Sequence, residues 1–210
     1  MQPRLLGHTN NIVLRLDPHP VVAKVGLWPH SAEVLRREYD VAELLAIEGA
    51  PTARPLRGGG WHLDADSGLP VTLWDLLDAQ PVGSPGPSPL ELADSLRALH
   101  DALRVVAARL VLPSFLWAMD LAAEKLADDE AMGMMTAPDL AFLRAVHPSL
   151  RRQAGEVASA SDAGHALHGE PHGANVVATG AGPRWIDFEA ACTGPLEYDL
   201  ASAGPEVAAA

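Results

Sequence analysis

The sequence predicts an α+β chain of two unequal lobes, a small N-terminal antiparallel sheet carrying one helix and a larger, mostly helical C-terminal part. Three observations point there. Two β-branched runs flank a Pro-containing turn between residues 11 and 25. A capping box at Ser88 opens a leucine-striped helix. Between Leu167 and Ala201, acid, amide and imidazole side chains gather around a second pair of short strands. The expected lobes are residues 1–73 and 74–210. With 210 residues, 48% of them hydrophobic, and no apolar run long enough for a bilayer, the chain reads as one soluble globular unit.

In the first lobe, residues 11–16 and 21–25 around the Asp17-Pro18-His19-Pro20 turn form a hairpin. Period-two alternation places Lys24 on the same face as Val22. Read alone, Lys24 is a surface residue on an edge strand. Only Lys24 and Lys125 are lysines, however, in a chain that otherwise uses Arg. Ser31 can cap a helix reaching about Glu48, with Leu35, Glu38, Ala42 and Leu45 along one face. Glu38 thus falls inside an apolar stripe, where a carboxylate needs a partner. Lys24 is the natural partner for Glu38; Glu43, on another face, is the other acid that could meet Lys24. Further short strands are expected at 58–63 and 70–74 around a turn at 64–68.

The Pro- and Gly-rich stretch 80–87 reads as a connector. Ser88-Pro89-Leu90-Glu91 then starts the clearest helix, with Leu92, Leu96, Leu99, Leu103, Val106 and Leu110 at three-four spacing. His100 beside that stripe reads as structural. Helices are also expected at about 116–129 and 139–158, the second interrupted or kinked at Pro148. Met132, Met134 and Met135 read as gap-filling core residues. Strands at 176–179 and 184–188 flank Gly180-Ala181-Gly182-Pro183 and return Asp187 beside Asn175.

The chemistry lies in the last segment. Glu170 and Asn175 are five apart, and Asp187 follows twelve residues after Asn175. An acid and an amide at that separation, followed by a strand-end carboxylate, match the order in which kinases place a proton acceptor and two Mg²⁺ ligands. HGEPHGAN, IDFE and GPLEYDLA resemble the HGDxHxxN, IDF and DLA signature of the aminoglycoside phosphotransferase and choline kinase-like family. The resemblance implies a protein-kinase-like fold, ATP and Mg²⁺ as cofactors, and transfer of the γ-phosphoryl group to a hydroxyl of a small molecule such as an aminoglycoside, amino-alcohol or sugar.

It also implies roles. Lys24, in V-A-K-V, would contact the nucleotide phosphates and Glu38 would orient it. Thr9 and Asn10, in a short G-x-T-N element with one glycine, would help cradle phosphates. Asn175 and Asp187 would hold Mg²⁺, and Glu170 would accept the hydroxyl proton. His168, His172 and Asp199 would support the loop, and residues 71–74 would form the interlobe hinge. The family has Asp where this chain has Glu170, and it adds helices beyond Asp199 that build the acceptor pocket, so the C-terminus looks short. The chain also begins with little room for the strand that precedes the phosphate loop. These departures make a catalytically impaired nucleotide-binding protein or partner-binding remnant the alternative reading. A transition-metal clasp from His168, Glu170 and His172 is a third.

A net charge of −12, with basic residues scattered, argues against nucleic acid as a partner. An acidic surface serves solubility and, through its long-range field, can favour a cationic substrate. A lone Cys192 excludes an internal disulfide and reads as a small packed residue. With neither a signal peptide nor a membrane span in the sequence, a cytoplasmic location is expected.

Overall fold

The computed structural model describes residues 2–28, 31–128, 135–160 and 164–210. A five-stranded antiparallel sheet comes first, in the order β1-β2-β3-β5-β4. Its strands are β1 (Gln2–His8), β2 (Asn11–Asp17), β3 (Val21–Gly26), β4 (Trp61–Leu63) and β5 (Pro70–Asp75), and α1 (Ser31–Ile47) follows β3. β1 corrects the expectation of a missing first strand: it pairs with β2 from Gln2↔Asp17 to His8↔Ile12, with one irregularity between Leu5 and Gly7. Leu5 and Leu6 are exposed, so no alternating burial marked this strand, and ladder hydrogen bonds define it instead.

Register fixes the position of Lys24. It lies opposite Val13 on one side and Thr72 on the other, so it occupies a central strand and not an edge. The same ladders overturn the expected hinge at 71–74. β5 is paired with β3 and β4 at once, and Leu73 also donates to the Gly60 carbonyl. Backbone groups committed to two ladders cannot meet a nucleotide base. β5 continues to Asp75, and the crossing to the second lobe follows it, where Leu76 N–H bonds Pro20 and Gln80 N–H bonds Ala178. The Asp64 turn forms as expected, with Asp64 accepting from the backbone and hydroxyl of Ser67.

The helical part contains α2 (Pro89–Val106), α3 (Trp117–Ala127), α4 (Ala137–Ala160), α5 (Leu196–Ala203) and α6 (Pro205–Ala208). Two small ladders lie among them: β6 (His165–Leu167) with β9 (Cys192–Gly194), and β7 (Val176–Thr179) with β8 (Gly182–Trp185). α2 begins with the predicted capping box, Ser88 and Glu91 bonding reciprocally. One core joins the lobes: Val41, Ala42 and Leu45 of α1 pack with Leu96, Leu99, Leu103 and Val106 of α2 and with Trp185 and Phe188. Each buried Val or Leu among these stabilises by about 1.5–3 kcal/mol relative to exposure. α1 therefore cannot shift without disturbing the floor beneath the second lobe.

Two further expectations change. Pro148 lies inside α4 without ending it. Proline removes one helix hydrogen bond, but no described residue of α4 is fully buried, so solvent can take that bond's place. His147 bonding the Met119 carbonyl and Arg151 bonding Asp120 hold α4 to α3 across the proline. β8 ends at Trp185 rather than Phe188, because the chain turns left-handed at Asp187. Met132, Met134 and Asp129 lie outside the described residues. Among the described residues no helix is long and apolar enough to cross a membrane.

Candidate active site

The site is built around one ammonium. β3 carries Lys24 to the face beneath which α1 runs, and Lys24 Nζ lies 3.0 and 2.9 Å from the two Glu38 oxygens. Leu35, Ala42 and Leu45 are fully buried beside Glu38, which is itself 2% exposed, so the apolar stripe drives the carboxylate inward. Lys24 also bonds Asp187 Oδ1 at 3.1 Å and Glu189 Oε1 at 2.5 Å. Burial alone would push the ammonium down, but Glu38, Asp187 and Glu189 together hold it above its ordinary pKa. Burial pushes the Glu38 carboxyl up to about 7, against the pull of Lys24, with Asp187 and Glu189 adding repulsion. Glu43 instead accepts from Tyr39 at 3.4 Å.

Asp187 arrives through an unusual backbone. It has φ 67° and is the one non-glycine residue with positive φ among those described. Asp tolerates this region better than most residues, yet it costs of order 1–3 kcal/mol. The 3₁₀ turn of Phe188–Ala190 follows, with Phe188 in the core. This geometry leaves the Asp187 side chain 41% exposed at the mouth while Glu189 turns back toward Lys24.

The loop before β7 is held from below. Asp199, fully buried, accepts the backbone N–H groups of His168 and Gly169 at 3.0 and 2.8 Å and meets His100 Nε2 at 2.8 Å. His168 is also fully buried. Its Nε2 faces the Ile186 carbonyl at 3.1 Å and its Nδ1 accepts from the Glu170 N–H at 3.3 Å. One nitrogen donates and the other accepts, which defines the neutral tautomer. Burial accordingly pushes His168 down to about 4, outweighing the pull of Asp199. This engagement removes the metal-clasp reading of His168, Glu170 and His172, since neither His168 nitrogen is left for a cation.

Asn175 closes the loop: its Nδ2 donates to the Glu170 carbonyl at 2.9 Å and its own carbonyl accepts from Ile186 N–H. With its N–H spent on the loop, Asn175 would offer a cation its amide oxygen. Glu170 is exposed, its backbone shaping the loop while the carboxylate faces outward. His172 is half-buried, its N–H bonded to the Glu170 carbonyl. Thr9 and Asn10 lie exposed at the β1–β2 turn, and the buried residue there is Asn11, whose amide donates to Glu189 Oε1 at 2.6 Å. Sequence reasoning missed Asn11, Glu189 and the tie from His100 to Asp199. The first two carried a signal in the polar GHTNN turn and in the second acid of IDFE. Cys192 is buried, and burial pushes its thiol up to about 12.

Does the site fit a divalent cation? Glu38, Asp187 and Glu189 place oxygens within 4.8 Å of one another, three carboxylates against one ammonium. Hard oxygen donors with surplus negative charge suit Mg²⁺, which typically uses one or two carboxylates and completes its shell with water and phosphate. All three carboxylates bond Lys24, and Glu189 also takes the Asn11 amide, so Asp187, the most exposed of the three, is the carboxylate through which a cation would be held.

The model of the phosphotransferase enzyme family matches residues 1–207. Among solved structures, an amicoumacin kinase in complex with AMP-PNP, Ca²⁺ and Ami is similar at TM-score 0.72 and 15% identity, over 96% of this chain and 62% of that one. A GDP complex of aminoglycoside 2'-phosphotransferase-IIIa gives TM-score 0.62 at 15% identity, over 95% and 70%. A choline/ethanolamine kinase family protein from Mesorhizobium loti gives 0.53 at 21% identity, over 96% and 63%. At such identities the likeness is one of fold, and the chain spans less than two thirds of the length of the first and last of these. No curated protein sequence matches it.

Proposed function

The chain belongs to the phosphotransferase enzyme family, and on that premise we propose that it moves the γ-phosphoryl group of ATP to a hydroxyl of a small molecule. The observation that carries the reading is Lys24 bonded at once to Glu38 behind it and Asp187 in front of it. In phosphoryl transfer the protein contributes mostly position and charge. Lys24 would take nucleotide phosphate oxygens, with Glu38 fixing its direction. Asn175 and Asp187 would hold Mg²⁺, which supplies charge neutralisation at the phosphoryl oxygens. Thr9, Asn10 and the backbone of their turn would line the phosphates.

Glu170 would take the acceptor hydroxyl's proton as that oxygen bonds phosphorus and ADP departs. Its exposure at the loop surface leaves it free to meet an incoming alcohol. His168 and Asp199 would hold the loop, with His172 beside them. The neighbours solved with AMP-PNP and with GDP support a purine nucleotide, and ATP is the one proposed. The lobes expected at residues 1–73 and 74–210 would meet just after Asp75, where β5 ends, and the protein would work in the cytoplasm on an alcohol, the acidic surface favouring a cationic one.

A second reading, nucleotide binding without transfer, is favoured by Glu189 already occupying Lys24. Incubation with γ-labelled ATP and Mg²⁺ over a panel of aminoglycosides, amino-alcohols and sugars decides between them. Label recovered in an acceptor supports transfer; nucleotide bound with no label leaving it, across the panel, favours the second reading.

A further inference from the structure

We propose that Arg37 is a positioning residue tying the turn that bears Asp187 to the helix that bears Glu38, an inference that rests on the phosphotransferase reading of the site. Arg37 is the residue before Glu38 on α1. Its Nε and Nη2 both donate to the Glu189 backbone carbonyl, at 3.2 and 2.5 Å. Its Cζ lies 4.7 Å over the Trp117 ring, which supports the guanidinium from the second lobe. One planar side chain thus joins α1, α3 and the turn after Asp187.

The turn is wedged from its other side as well. Gly169, at φ +92°, approaches so closely that a Cβ there would collide with the Ala190 carbonyl. The strained Asp187 sits just ahead of this wedge, and a left-handed non-glycine persists only where its surroundings over-determine it. Arg37 adds to that constraint from the same helix that aims Lys24 through Glu38. Displacement of α1 therefore moves the ammonium's partner and the metal-facing carboxylate together. A lysine could reach the carbonyl but offers neither the two-pronged bond nor a flat face for Trp117.

The test compares wild type, Arg37→Ala and Arg37→Lys by amide hydrogen exchange and by calorimetric titration with Mg·AMP-PNP. Arg37→Ala is expected to speed exchange across residues 187–191 while α2 stays protected, and to weaken Mg·AMP-PNP about tenfold, the lower end of what loss of a ligand-orienting partner costs. Arg37→Lys recovers part of both. Wild-type exchange at 187–191 in Arg37→Ala overturns the inference, as does general loss of protection that includes α2. If the wild-type chain binds no nucleotide, the phosphotransferase reading fails, and exchange at 187–191 still decides whether Arg37 holds the turn.

Discussion

The carboxylate of Asp199 holds the backbone of Gly169: Oδ1 accepts the Gly169 N–H at 2.8 Å across 30 residues of sequence. Oδ2 takes the His168 N–H, and His100 meets the same oxygen. A fully buried carboxylate with this set of partners fixes where the loop begins. Asn in its place has one oxygen for two N–H groups and turns a donor toward the other. Asp199→Asn should cost about 3 kcal/mol, since hydrogen bonds to charged groups contribute roughly 1.5–3 kcal/mol each. That corresponds to a Tm lower by on the order of 6–12 °C. Thermal unfolding of both proteins checks it; an unchanged Tm contradicts the anchoring role.

His168 gives the fold a pH dependence with a definite sign. Its folded pKa is lowered from 6.5 to about 4, so below 6.5 the unfolded chain binds a proton that the folded chain refuses. Stability from this residue is complete above pH 6.5 and is lost as pH falls toward 4, about 3 kcal/mol in all at 1.36 kcal/mol per unit. Urea unfolding at pH 7, 5.5 and 4.5 should show this decline, and His168→Gln should flatten it. An equally steep decline in the variant would place the acid sensitivity elsewhere.

Much of this site was legible because it rests on local pattern. The apolar stripe around Glu38 predicted its burial, the five-residue step from Glu170 to Asn175 marked the loop, and the two-strand frame returned Asp187 to it. What was hidden is tertiary. β1 has exposed leucines and exists through pairing alone. Glu189 meets Lys24 just after the left-handed turn at Asp187, which no periodicity encodes. Resemblance places a hinge at 71–74, but the backbone groups there are spent on β3 and β4, a pairing that no local pattern reveals. Pro148 does not interrupt α4, whose exposure along its whole length no local pattern announces.

Glu170 separates chemistry from stability. Its backbone shapes the loop, but its exposed carboxylate does not. Glu170→Gln should leave unfolding free energy within about 0.5 kcal/mol of wild type, as is usual for surface substitutions. Phosphoryl transfer should fall on the order of 10²–10⁴-fold, the range for loss of a general base. Nucleotide affinity should not change. Equal turnover by the variant would remove Glu170 from the reaction.

The most direct test of the central claim is calorimetric titration of Mg·ATP into wild type and Asp187→Asn. Asparagine tolerates the left-handed backbone and keeps the shape, so the variant removes only the charge facing Lys24 and the cation. The expected result is saturable, Mg²⁺-dependent binding by wild type that weakens about 100-fold or vanishes in the variant. Equal affinity in the two proteins, or no binding by a folded wild-type chain, would contradict a nucleotide site built on Lys24, Glu38 and Asp187.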